Sequence, residues 1–103
     1  MKYRIQHTFT AEEDLSSILN YITVKLKNPK AAEDLLDRYK EKRETLRESP
    51  RLYGLSLDPK LAQRGYRHFT FGSYIAYYTI SEETHTINII RIFYQKQNYP
   101  ETL

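Results

Sequence analysis

A chain of 103 residues has room for one domain, residues 1–103, built around a single thin core. Its 16 Lys and Arg against 13 Asp and Glu leave a formal charge of +3, which suits nucleic acid or an acidic protein partner and requires neither. With no cysteine, disulfides, thiolate metal sites and a thiol nucleophile are excluded.

Tyr3–His7 alternates without breakers and reads as a short strand. Thr10 followed by Glu13 has the spacing of a capping box and predicts the start of a helix. Leu15, Ile18, Leu19, Ile22 and Leu26 then recur at helical spacing and predict one apolar stripe. Asn28-Pro29 is a restart: Asn caps, and Pro tolerates the first helical position because its missing N–H would find no partner there. The second helix is predicted from about Pro29 to Glu48, with Ala32, Leu35, Leu36, Tyr39 and Leu46 on its buried side, and Ser49-Pro50 ends it. So short a break folds the two helices back as a hairpin.

Residues 51–64 hold Gly54 and Asp58-Pro59 without a steady period. They read as a loop with room for one helical turn, either functional or covering one end of a sheet with Leu55, Leu57 and Leu61. Three β-type runs come next, at about 65–71, 74–81 and 86–94, joined by Gly72-Ser73 and by a turn over Ser81–His85. The order β-α-α-β-β-β predicts an α+β fold, a helical hairpin packed on one face of a mainly antiparallel four-stranded sheet. The opposite face is expected to be partly exposed and available for binding.

No signal-like apolar core opens the sequence, and no run approaches the roughly 18 apolar residues of a membrane span. A soluble, cytoplasmic protein without membrane contact is the expectation. His7, His68 and His85 lack metal-ligand spacing, so neither a metal nor another cofactor is expected. Ser49 and Ser73 have no base and acid arranged around them. Tyr74, Tyr77, Tyr78 and Tyr94 could stack on bases, but such residues more often pack across strands. Arg67 is either a contact to an acidic partner or a strand residue with a packed stem. Arg91 sits among Ile89, Ile90, Ile92 and Phe93, where apolar residues occupy both phases; a pair with Asp14 or another helix acid would tie the helices to the sheet.

Several segments in fixed order carry a family resemblance. They are Ala11-Glu12-Glu13-Asp14-Leu15 with Ile18 and Tyr21-Ile22, then Asn28-Pro29 with Ala31-Ala32, Ser49-Pro50 and Gly65-Tyr66-Arg67. Gly72-Ser73-Tyr74, Tyr77-Tyr78, Ile80, Ile90-Arg91-Ile92, Tyr94 and Asn98-Tyr99 complete the set. Together they resemble the RelE/ParE superfamily of type II toxin–antitoxin toxins. The resemblance implies a growth-inhibiting toxin, held inactive by a cognate antitoxin encoded next door whose C-terminal segment wraps over it.

The superfamily divides by target: RelE-like members cut mRNA on the ribosome, and ParE-like members poison DNA gyrase. RelE-like enzymes resemble one another in carrying Lys and Arg on strands two and three, an Arg after strand four and a Tyr near the C-terminus. Arg67 and Tyr99 match that pattern, whereas Ile75 replaces an Arg and only Lys96 stands after strand four. Isoleucine cannot neutralise a crowded phosphate, and Lys does not reproduce the planar Arg fork.

The resemblance therefore points toward ParE-like members, although Gln95–Tyr99 is less basic than usual there. If the chain is a metal-independent mRNA endonuclease, its catalytic candidates are Arg67, His68, Arg91, Lys96 and Tyr99. The partner-binding candidates are Arg67, Tyr74, Tyr94, Lys96 and Tyr99, and a degenerate member that only binds antitoxin is a third reading.

Overall fold

The computed structural model describes residues 2–96. Strand β1 (Arg4–His7) ends at Thr8, which has extended backbone and accepts the Ala11 N–H on its hydroxyl oxygen at 3.0 Å. Helix α1 therefore runs over Phe9–Asn20, and Thr10, predicted as the cap, lies inside the first turn. The same Thr8 hydroxyl donates to the Ile90 carbonyl at 2.8 Å, so one residue finishes the strand and starts the helix.

α1 continues into a π-helical turn over Tyr21–Lys25, closed by the Leu26 N–H bonding to the Tyr21 carbonyl at 3.1 Å. The extra residue in that turn shifts the end of the helix off the 3.6-residue phase. Ile22 stays buried, whereas Leu26, predicted to continue the stripe, is 56% exposed. The Asn28 side chain accepts from the Ala31 N–H at 3.1 Å and caps helix α2 (Pro29–Glu48). Ala32, Leu35, Tyr39 and Leu46 form its buried side as predicted, with Leu36 half-buried.

The sheet has the order β1-β4-β3-β2, with β2 at Arg67–Phe71, β3 at Tyr74–Ser81 and β4 at Thr86–Tyr94. β2, β3 and β4 form an antiparallel meander, and β1 lies parallel to β4. Gly72 turns the β2–β3 hairpin at φ 58°, and a Cβ there would come within 3.0 Å of Leu35 Cδ1, so glycine suits both the backbone and the contact with α2.

On β4 the register steps from Arg91, opposite Tyr77, to Ile89, opposite Tyr78, which leaves Ile90 as the extra residue of a β-bulge. The bulge explains why apolar residues fill both phases of this strand. Ile87, Ile89 and Ile92 all join the core under the helices, while Ile90 and Phe93 belong to the other face.

The main core packs Ala11, Ile22, Ala32, Leu35, Tyr39 and Leu46 of the helical layer on Phe69, Phe71, Ala76, Tyr78, Ile87, Ile89 and Ile92 of the sheet. The far face is less bare than expected. Helix α3 (Pro59–Gln63), capped by the Asp58 carboxylate, brings Leu61 into a second, smaller cluster with Tyr66, Ile75, Tyr77 and Phe93. The covering role foreseen for the 51–64 segment thus falls to Leu61. Leu55 and Leu57 stay exposed, Leu57 at 92%.

Candidate functional site

β1 pairs with β4 only as far as His7 opposite Ile89, and α1 then takes over that flank. There the Asp14 carboxylate accepts from Arg91 Nε at 2.8 Å and Arg91 Nη2 at 3.2 Å, and also from the Ile92 N–H at 3.0 Å. The side chains are 25% and 16% exposed, so a two-toothed ion pair sits at a partly desolvated edge. The Arg91 guanidinium also lies 4.6 Å from the Phe93 ring centre. Of the helix acids that could have paired with Arg91, Asp14 is the one that does, and its carboxylate additionally caps a strand N–H.

Next to this pair, a groove of about 810 Å³ runs between the C-terminal half of α1 and the end of β4. Ile18, Tyr21, Leu26, Tyr74 and Tyr94 give it an apolar, aromatic lining. Tyr74 and Tyr94, opposite each other in the register, meet edge to face at 5.7 Å.

Arg67 and His68 are consecutive on β2, so they project from opposite faces of the sheet. Arg67 lies on the helix side, where its Nη1 donates to the Tyr53 carbonyl at 2.7 Å and anchors the loop after α2. Tyr78, opposite it, donates to the Pro50 carbonyl at 3.1 Å. Burial pushes the Tyr78 hydroxyl up to about 12 against the lowering effect of Arg67. His68 lies on the far face beside the Tyr77 ring, 6.0 Å away. Its Nδ1 is buried without a hydrogen-bond partner, and burial lowers its pKa.

Lys96 is exposed just past β4. It follows Gln95, which bonds through its N–H to the Ser73 carbonyl at 2.9 Å and through Nε2 to the Gly72 carbonyl at 3.0 Å. Tyr99 lies outside the described residues. The described candidates therefore divide: Arg67 under a loop, His68 on the far face, Arg91 held by α1, and Lys96 beyond the strand. Tyr74 and Tyr94 are the two that come together. Among the described residues, no three His, Asp or Glu side chains converge as metal ligands, and no helix is long and apolar enough to cross a membrane.

Sequence reasoning missed His7, whose Nε2 lies 2.6 Å from the Tyr39 hydroxyl in the core. Arg43 sits over the Tyr39 ring at 5.4 Å. Burial first, and then the Arg43 charge, lower the His7 pKa against an opposing effect of Glu12. The available signal was the phase of β1, which turns Ile5 and His7 inward together.

A family model described as the ParE toxin of the type II toxin–antitoxin system, parDE, matches residues 5–99. The chain belongs to the ParE toxin family. Solved structures share the fold of this ParE-family chain. The toxin–antitoxin complex RelBE2 from Mycobacterium tuberculosis has 23% identity and a TM-score of 0.64, covering 91% of this chain and 99% of that one. The chromosomal ParDE system of P. aeruginosa has 23% identity and a TM-score of 0.67, covering 88% and 94%. The archaeal RelE–RelB complex from Pyrococcus horikoshii has 17% identity and a TM-score of 0.58, covering 94% and 99%. No curated protein sequence matches the chain.

Proposed function

We propose that this ParE-family toxin arrests growth in the bacterial cytoplasm by poisoning DNA gyrase, without cutting RNA, and that a cognate antitoxin neutralises it. The observation that carries the choice of target is the dispersal of its cationic groups. Cleaving RNA through the ribose 2′-OH needs positive charge converging on one phosphate as it becomes crowded. Here Arg67 is committed to the Tyr53 carbonyl on the helix side, and Arg91 to Asp14 at the strand edge. The strand-three position that would add a cation is the buried Ile75.

The antitoxin reading draws on the groove between α1 and β4. Tyr21, Leu26 and Tyr94 are exposed around it, a surface suited to apolar side chains of a partner. It also draws on two solved relatives, a toxin–antitoxin complex from M. tuberculosis and a RelE–RelB complex from P. horikoshii.

The test follows supercoiling by purified gyrase and mRNA integrity on translating ribosomes side by side. Loss of supercoiling on adding the toxin, restored by the antitoxin and accompanied by intact mRNA, is the expected result. Cleaved mRNA with normal supercoiling would replace this reading with the endonuclease. If neither changes and induced expression leaves growth unaffected, the protein only binds antitoxin.

A further inference from the structure

Between Tyr21 and Lys30, where α1 gives way to α2, Ile22 alone is buried. Tyr21, Val24 and Leu26, in and beside the π-helical turn, are each more than half exposed. Single π-helical turns within helices are frequent at functional sites. Lys27 follows with φ 52°, in the left-handed region that a helix end commonly gives to glycine. A side chain there is strained against its own backbone, and such strain also gathers at functional sites.

Charge marks the same stretch. From Leu15 to Ala32 the chain holds no Asp or Glu, while Lys25, Lys27 and Lys30 come close together within it. Lys30 pairs with Asp34 of α2 at 3.2 Å. Among the described residues, no acidic side chain pairs with Lys25 or Lys27. The tip of the helical hairpin thus joins three bared apolar side chains to two uncompensated cations.

Lipid meets such a surface poorly, because three half-exposed side chains bury less apolar surface than the single acyl chain that gives only marginal membrane binding. The phosphates of DNA would engage the lysines and leave Val24 and Leu26 unused. A protein surface with an apolar hollow and an acidic rim satisfies both features at once.

We propose that this hairpin tip grips the protein target, with Tyr21, Val24 and Leu26 entering an apolar hollow on gyrase and Lys25 and Lys27 meeting acidic side chains at its rim. This rests on the gyrase reading above and assigns it a surface. Tyr21 and Leu26 also line the α1–β4 groove, whereas Val24, Lys25 and Lys27 do not. An antitoxin seated in the groove therefore covers part of the tip and competes with the target for it.

The experiment measures binding of the purified toxin to purified gyrase, and inhibition of supercoiling, at low and high salt. Lys25→Glu/Lys27→Glu should weaken gyrase binding by at least about tenfold and flatten its salt dependence. Lys40→Glu/Lys60→Glu makes the same change of net charge at exposed positions away from the tip, and should leave binding within about threefold of the parent. Lys27→Gly relieves the left-handed backbone, so its urea midpoint should hold or rise while gyrase binding falls several-fold.

Full binding and inhibition by both tip variants would remove the tip from the gyrase contact and leave the gyrase reading standing. Failure of the wild-type toxin to bind or inhibit gyrase would overturn both. An equal loss in Lys40→Glu/Lys60→Glu would reduce the effect to net charge and defeat the assignment. Binding of wild-type toxin to plasmid DNA without gyrase, lost in Lys25→Glu/Lys27→Glu, would put DNA in place of the protein. If the double tip variant melts early, Lys27→Gly decides alone.

Discussion

The two sides of the sheet are finished differently. On the β1 side both ends of the flank are closed by chemistry within the chain. The Tyr3 N–H bonds to the Arg47 carbonyl at 3.0 Å, and its carbonyl accepts from Arg47 Nε at 2.9 Å. Thr8 then reaches the Ile90 carbonyl, and Asp14 takes the Ile92 N–H where β1 has run out. On the β2 side one bridge at Leu55 and a bond from Ser56 close the first residues, and the rest of the strand edge is left open. An edge strand with unpaired backbone groups invites association with other chains. The contrast is that this chain ties down both ends of one flank and only the start of the other, which lies beside the cations of α2.

The strongest way to break the contrast is to remove the carboxylate that closes the β1 side. Asp14→Ala strands the Arg91 charge and bares the Ile92 N–H. We expect a loss of about 2–3 kcal/mol, below the range for fully buried pairs because both side chains keep some water contact. Urea denaturation measures it, and a change under about 0.5 kcal/mol, the size of an ordinary surface substitution, would mean that the edge is held by packing instead. Thr8→Val, close in shape, removes the helix cap and the bond to Ile90 together and should cost about 1–2 kcal/mol. The Asp14→Ala/Thr8→Val double mutant sharpens the comparison. If the two residues close one continuous edge, their effects should depart measurably from additivity.

The layout of the fold was legible because its signals are local. The Asn28-Pro29 restart, the Gly72-Ser73 hairpin and the bounds of β3 and β4 depend on residues adjacent in sequence, and they appear where predicted. Misreadings arose where a neighbour distant in sequence decides. Thr10 has the better capping spacing, but Thr8 alone also reaches β4, a contact 82 residues away along the chain. Leu26 keeps a helical period in sequence and is turned out by the π-helical turn.

The candidate site was the least legible part. Residue type marked Arg67 and Arg91 as possible phosphate ligands, but only the three-dimensional arrangement shows the Tyr53 carbonyl and the Asp14 carboxylate that occupy them. The open β2 edge has no sequence signature, since it depends on how far the 51–64 loop extends alongside β2.

The smallest expected effect concerns the end of β1, where the closed flank enters the core. His7 is half-buried against Tyr39, with Arg43 near the same ring and Glu12 opposing it, and its pKa lies below the ordinary value of 6.5. The folded protein thus binds a proton here less readily than the unfolded chain does. Its contribution to stability is complete above pH 6.5 and is lost as pH falls from there toward the folded pKa. His68, lowered by burial, adds a slope of the same sign.

His7→Gln keeps a polar group able to bond the Tyr39 hydroxyl and removes the titration. Urea midpoints measured from pH 7.5 to 5 should therefore fall less steeply in this variant than in the parent, with His68 supplying what slope remains. Parallel curves for the two proteins would show that protonation of His7 is accommodated in place, with the Tyr39 hydroxyl rotating from donor to acceptor. In that case the closed flank would owe nothing to the neutral imidazole.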